Sequence, residues 1–146
     1  MKDFVGIMKT AAELKGWLPF YGSKGYQNFE IAQADITDGS MLFIIFPASI
    51  SALLENGIWS RYRITTKVFL GRKFESNTTS SIAETEQQKY DARLKELGDE
   101  LDDFLNTLFN CQDGFEANSI RYFYELNQYS ANIDFCGADI TFDIWN

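Results

Sequence analysis

The sequence has 146 residues, of which 45% are apolar, so it is long enough to bury a core and short enough to form one domain over residues 1–146. Its formal charge is −8, with 13 Lys and Arg against 21 Asp and Glu. This acidity disfavours sequence-specific nucleic-acid binding and docking on anionic lipid. Because no segment has the length of a membrane span or the apolar core of a secretory signal, we expect a cytoplasmic protein.

Histidine is absent from the sequence, which removes the commonest general base near neutral pH and a common metal ligand. The cysteines, Cys111 and Cys136, are too far apart to form a CxxC motif. Carboxylates are the remaining catalytic option, and Asp99, Asp102 and Asp103 lie close together. An acidic run of this kind is typical of a solvated helix face. We therefore predict no enzyme activity, no metal and no cofactor.

The first predicted element is an amphipathic helix near the N-terminus. Apolar residues recur at steps of three and four from Phe4 to Leu18, with Asp3 as the N-cap. Gly16 weakens the end of this helix and Pro19 stops it, and residues 20–28 have the composition of a loop.

A predicted strand from Phe29 to Ile36 follows, and Asp38-Gly39 forms a hairpin-type turn. The run Met41–Phe46 has no polar alternation, which indicates a strand covered on both faces. A helix would cover one face. The second cover is either the rest of this chain or a neighbouring subunit.

Residues 49–56 predict a short helical turn that ends at Gly57. Trp59–Phe74 then alternates clearly enough to predict a strand. One face of that strand carries apolar residues and threonine: Tyr62, Ile64, Thr66, Val68 and Leu70. The other face is basic and polar: Arg61, Arg63, Thr65 and Lys67.

A long second helix begins at a capping box formed by Ser81 and Glu84. Its apolar stripe consists of Tyr90, Leu94, Leu97, Leu101, Phe104 and Leu108, with charged residues on the opposite flank. One apolar stripe beside one charged flank is typical of a helix that lies on a sheet.

Two strands complete the chain, Asn118–Tyr129 and Ile133–Trp145. In the last strand Ile133 and Phe135 have one parity, whereas the apolar residues from Cys136 onward have the other. Because side chains alternate strictly, this change predicts an extra residue, and a β-bulge is least costly at Gly137. The whole pattern predicts an α+β fold, a mostly antiparallel sheet of about five strands that carries two amphipathic helices.

Charge is unevenly distributed along the predicted elements. The basic face of the third strand and the acidic half of the second helix could meet in a head-to-tail contact between copies of the chain. From the sequence alone, ordinary solvated surface is the simpler explanation of both patches. The predicted contact residues are Arg61, Arg63 and Lys67 on one copy and Asp99, Asp102 and Asp103 on the next.

A family resemblance is carried by three stretches: ADITDGSMLFIIFP, WSRYRITTKVFLGRKFE and SIRYFYELNQYSANIDFCGADITFDI. In these stretches and in the order of its elements, the chain resembles the tail-terminator and tail-completion proteins of long-tailed bacteriophages and prophages. The resemblance implies a structural virion protein that forms a ring, typically hexameric, at the head-proximal end of the tail tube. Its partners would be copies of itself and tube or connector subunits, in the cytoplasm of a bacterial host.

Two other functional classes stay open. An acidic immunity or inhibitor protein would bind a basic toxin, which suits the charge of −8 and the abundant aromatic residues. A carboxylate enzyme would need a cleft in which two acids converge.

Overall fold

The computed structural model describes residues 2–23, 36–37, 39–73, 94–128 and 133–145, with only the backbone described for 125–128. In chain order the elements are α1 Phe4–Leu14, β1 Leu18–Tyr21, β2 Met41–Ile45, β3 Ser49–Glu55, β4 Ile58–Lys73, α2 Lys95–Cys111, β5 Phe115–Gln128 and β6 Ile133–Trp145. These elements form an α+β fold with a six-stranded, mostly antiparallel sheet, which confirms the predicted class with one strand more than predicted. The predicted strand Phe29–Ile36, apart from Ile36, and the capping box of Ser81 and Glu84 lie outside the described residues.

The strand order is β1-β2-β4-β6-β5, and β3 pairs with β4 on the same side as β2. β2 pairs with residues 68–72 of β4, and β3 pairs with residues 58–65. The chain therefore makes one long hairpin, interrupted at residues 46–48. At the interruption the Phe46 N–H donates to the Lys67 carbonyl (2.9 Å), and the Thr66 hydroxyl donates to the Phe46 carbonyl (2.8 Å).

The first helix begins as predicted but ends earlier. The Asp3 carboxylate accepts a hydrogen bond from the Gly6 N–H (3.0 Å), which caps the helix. The helix ends at Leu14 and not at Leu18, because Gly16 adopts a φ of 78° and turns the chain. Leu18–Tyr21, predicted in part as loop, is an edge strand parallel to β2, where Pro19 is tolerated because an edge strand has unpaired backbone positions.

The predicted helical turn at residues 49–56 is wrong, because this segment is strand β3. Asn56 and Gly57 form a two-residue connection with φ values of 53° and 76°, the left-handed conformations that a tight β-hairpin requires. The Asn-Gly pair is the sequence signal for this hairpin, and it outweighs the weak helical periodicity before it.

The bulge predicted at Gly137 is also wrong. The pairing of β4 with β6 runs without a shift from Arg61–Trp145 to Lys73–Ile133. The apolar residues change parity because the first part of β6 is buried on both faces, so no extra residue is needed. Gly137 instead makes room for aromatic rings, since a Cβ atom there would lie 2.4 Å from Phe123 and 2.7 Å from Phe69.

Two apolar clusters lie on opposite faces of the sheet. The larger one joins the sheet to both helices, and it includes Phe43, Val68, Ile140 and the α2 residue Leu101. The smaller cluster on the other face consists of Ile36, Leu42, Ile44, Phe69, Ile133 and Phe135. The predicted double cover of the run Met41–Phe46 is confirmed within this chain, because Leu42, Phe43, Ile44 and Ile45 have no exposed surface.

The predicted apolar stripe of the second helix is confirmed over the part that the structure describes. Leu94, Leu97, Leu101, Phe104 and Leu108 are buried, together with Leu105. Neither described helix combines the length and the apolar content that crossing a bilayer requires.

Candidate interaction surface

A shallow cleft of about 300 Å³ lies between α1 and α2. Its lining is mainly apolar, and the charged side chain that reaches it is Lys15. Within the described ranges, no three His, Cys, Asp or Glu side chains come close enough to hold a metal ion. This cleft brings no two carboxylates together, so it does not supply the geometry of an acid–base pair.

The three acids predicted on α2 all face solvent. Asp102 accepts a hydrogen bond from the Tyr122 hydroxyl of β5 (2.6 Å), and Asp103 lies 3.8 Å from the Lys15 ammonium. Burial and this hydrogen bond raise the pKa of Tyr122. The contact fixes α2 over the β5 side of the sheet.

Two of the basic residues on β4, Arg61 and Arg63, contact an acid on β6. The sequence alone did not indicate this neighbour. The Asp143 side chain on β6 is 2% exposed, and it accepts hydrogen bonds from Arg63 Nε (2.9 Å) and Nη2 (3.1 Å). Arg61 Nε lies 3.4 Å from the same carboxylate, and its guanidinium lies 4.9 Å from the Trp145 ring centroid. Asp143 therefore holds two of the three predicted basic contact residues.

The hydrogen bond from Arg63 sets the ionisation of this group. It lowers the pKa of Asp143 below its ordinary value, against the opposing effect of burial. The same pair raises the pKa of Arg63. Both partners are consequently charged at neutral pH.

The third predicted basic residue is Lys67, whose ammonium lies 5.4 Å from the Phe123 ring centroid. Lys67 is paired across the strands with Asp139, which accepts a hydrogen bond from Arg121 at 2.7 Å. Charged side chains of both signs thus lie on the same sheet face as the smaller apolar cluster.

The basic residues of β4 and the acids of α2 lie on opposite faces of the sheet. A contact between them would have to join the helix-bearing face of one copy to the opposite face of the next. The predicted contact of Arg61, Arg63 and Lys67 with Asp99, Asp102 and Asp103 of a neighbour stays a prediction.

The end of the β3–β4 hairpin exposes the largest group of apolar side chains that the structure describes. The exposed fractions are 43% for Ile50, 57% for Leu54, 71% for Ile58 and 59% for Trp59. Trp59 contacts Tyr62 edge-on, with ring centroids 6.4 Å apart. Ile58 pairs with Glu55 and therefore lies on the other face of the hairpin from Leu54 and Trp59. We call Ile50, Leu54, Trp59 and Tyr62 the hairpin patch.

The position of the hairpin explains its exposure. Among the described elements, β3 packs chiefly against β4, whereas α1 lies over β1 and β2, and α2 lies over β4, β5 and β6. Exposed apolar side chains grouped at one site are a common feature of surfaces that contact another molecule.

No known family model and no curated protein matches this chain. The arrangement of the side chains is therefore what supports a functional proposal.

Sequence reasoning missed the hairpin patch because residues 49–56 were assigned to a helical turn. As a strand, the same segment places Ile50 and Leu54 on one face, and Leu54 is paired across the hairpin with Trp59. The Asn-Gly signal at Asn56 and Gly57 was sufficient to find this arrangement.

Proposed function

We propose that this protein is a structural subunit that works by assembling with other protein chains, and that its role is that of a tail-terminator or tail-completion protein. The observation that carries the proposal is the hairpin patch. Its side chains belong to ordered strands and still leave much of their apolar surface in water. Burying that surface against another chain gains about 25 cal/mol per Å² of apolar area.

The sheet supports the same proposal. Among the described strands, β3 has β4 on one side and no neighbour on the other. An open edge of this kind is a template for pairing with a further strand. In the tail-type form of the proposal, the chains that meet here are copies of this protein or subunits of the tube and connector.

The test is the mass in solution, measured by light scattering over a concentration series. We expect the mass to rise with concentration from that of one chain to that of a defined oligomer. The double variant Leu54→Ser, Trp59→Ser should require at least about tenfold more protein for half-assembly, because each side chain loses apolar contact.

Leu14→Ser is the matched control, since Leu14 is 85% exposed but lies on α1. This variant should assemble like the parent protein. A parent mass of one chain at every concentration, together with no binding to tube or connector subunits, would rule the proposal out.

An immunity or inhibitor protein is the second candidate, and the solvent-facing acids of α2 favour it. Asp99, Asp102 and Asp103 lie together on a surface of a protein with a charge of −8. Such a protein would remain a single chain and bind one basic partner, at an association rate that falls steeply with salt. The concentration series and this salt dependence separate the two candidates.

A further inference from the structure

The backbone of β3 directs alternate hydrogen-bonding groups away from the sheet. The Phe46 N–H donates to the Lys67 carbonyl, and the Lys73 N–H donates to the Ser40 carbonyl (3.0 Å). Odd-numbered residues of β4 therefore direct their backbone groups toward β2 and β3, since the direction alternates along an unbroken strand. Ser49 and Ser51 of β3 are paired with odd-numbered residues of β4, so they direct their own N–H and C=O groups toward β4.

It follows that Ile50, Ala52 and Leu54 direct their N–H and C=O groups outward. Their side chains share the helix-bearing face, because Ile50 is paired with the core residue Ile64. No described strand takes up these groups. Glu55 is the single charged residue of β3, so the edge lacks the lysines that commonly protect exposed edges.

The opposite edge of the sheet has matching properties. Odd-numbered residues of β6 direct their backbone groups to β5, where Ser119 and Arg121 are their partners. Ile120 and Tyr122 then direct theirs outward. The side chain of Ile120 packs against the helix-side core, so these two residues also belong to the helix-bearing face.

We propose that β3 of one copy pairs with β5 of the next copy in a head-to-tail contact, which continues one antiparallel sheet across the subunits. The register pairs Ala52 with Tyr122 of the next copy, and Leu54 with Ile120 of the next copy. This inference deepens the proposed function and rests on it, since it names the contact through which the subunits assemble.

Strand direction supports the pairing. β3, β4, β6 and β5 alternate in direction across the sheet. Two copies placed side by side in the same orientation therefore bring β3 and β5 together as antiparallel neighbours, with their helix-bearing faces on the same side. A contact between two different edges is heterologous, and it closes into a ring if the rotation between copies allows.

The charges at the two edges and the position of α2 also support the pairing of β3 with β5. Glu55 would lie diagonally across from Arg121 of the next copy, a spacing at which cross-strand ion pairs form. The Arg121 side chain is 82% exposed and accessible for this contact. The α2 helix of the next copy is fixed over its β5 side by Tyr122 and Asp102. It would lie beside β3, which neither described helix of its own chain covers.

A twofold pairing of β3 with β3 is the competing arrangement. It would match Ile50 with Leu54 and place Ala52 opposite itself. It would also put two β3 strands side by side, neither of them covered by a described helix, so it buries less of the hairpin patch.

Disulfide cross-linking tests the register. The background is Cys111→Ser, because Cys111 is exposed whereas Cys136 is buried, and burial raises the pKa of Cys136 to about 12. Directly opposed residues lie about 5.5 Å apart between Cα atoms, within disulfide range. A mixture of Ala52→Cys chains with Tyr122→Cys chains should cross-link into dimers, and a chain with both substitutions should give a series of larger species.

Thr10→Cys on α1 replaces Ala52→Cys in the control mixture and should give no cross-link. Cross-linking of Ala52→Cys chains with themselves would overturn the head-to-tail register in favour of the twofold one. Absence of the mixed cross-link, in protein that light scattering shows to be assembled, would overturn the inference and leave the proposed function standing. A single-chain mass throughout would reject both.

Proline substitution gives a second readout that needs no cysteine. Ala52→Pro removes an outward N–H, so we expect a folded chain whose half-assembly concentration rises at least about tenfold. Ser51→Pro is the matched control, since it removes an N–H directed to β4 and should destabilise the single chain. Unchanged assembly of Ala52→Pro would contradict the proposed edge contact.

Discussion

Asp143 pairs with the two arginines of the β4 face that points away from α1 and α2. It lies almost fully buried between Arg61 and Arg63, and its hydrogen bonds to Arg63 are geometrically well formed. Reversing the charge of both arginines would leave the buried Asp143 carboxylate unpaired beside two further negative groups. We expect such a variant to lose stability as well as to change any contact, so it does not isolate an interface.

Asp143→Asn should destabilise the protein by about 1–3 kcal/mol at neutral pH, because it removes charge-assisted hydrogen bonds from Arg63. The pKa of Asp143 is lowered in the folded protein from its ordinary value of 3.8. The stabilisation is thus complete above pH 3.8 and is lost as the pH falls through the lower folded-state pKa. Urea denaturation of both proteins between neutral pH and pH 2 measures this difference.

Asp139→Asn is the control for this experiment. Asp139 pairs with Arg121, whose side chain is largely exposed, and such surface pairs contribute about 0–1 kcal/mol. An equal loss of stability for the two variants would contradict the assigned role of Asp143. So would a difference between parent and Asp143→Asn that stays constant down to pH 2.

At the scale of elements, the β3–β4 hairpin depends on its two-residue turn. Gly57 has a φ of 76°, a conformation that residues with a Cβ atom adopt at a cost, and Asn56 is the non-glycine type that tolerates it best. The turn sets the register that brings Leu54 opposite Trp59. The hairpin patch therefore depends on a connection that lies outside the core.

Gly57→Ala should lower the free energy of unfolding by about 1–2 kcal/mol, because alanine is strained at a left-handed position. Urea denaturation measures the loss, and light scattering should show weaker assembly as the register loosens. Asn56→Gly keeps the turn geometry and should change the stability by less than about 0.5 kcal/mol. Equal stability of the parent and Gly57→Ala would show that the turn is not of this type.

At the scale of the molecule, a single sheet has a core on each face. β4 supplies Val68 to the helix-side cluster and Phe69 to the smaller cluster, and β6 supplies Ala138 and Phe135 in the same way. Because adjacent residues of the same strands serve both clusters, neither cluster can lose its packing while the other keeps it. We expect the described sheet and helices to unfold together.

Leu101→Ala and Leu42→Ala test this expectation, since the two leucines have no exposed surface and belong to different clusters. Each should cost about 2–5 kcal/mol through lost burial and the cavity left behind. In each variant, far-UV circular dichroism and tryptophan fluorescence should report the same transition. Separate transitions by the two probes, in either variant, would contradict one cooperative unit.

The sequence determined the elements whose burial follows a strict period. The run Met41–Phe46 has no period, and its unbroken apolar character indicated a strand buried on both faces, which is present. The stripe from Leu94 to Leu108 and the alternation along β4 do follow a period, and each indicated a structure that is present. Such patterns are readable because burial repeats with the period of the helix or strand itself. The α+β class follows from them.

Only the tertiary structure decided what depends on neighbours distant in sequence. It placed Asp143 beside Arg63, and it let Gly137 accommodate the Phe123 ring where a bulge was predicted. Among the described strands, it gave β3 a neighbour on one side alone. Each of these depends on which strands are adjacent and in what register. Sequence periodicity shows which face of a strand a residue lies on, but it does not show which residue lies opposite on the neighbouring strand. This cross-strand pairing controls both the buried charge of Asp143 and the exposed hairpin patch.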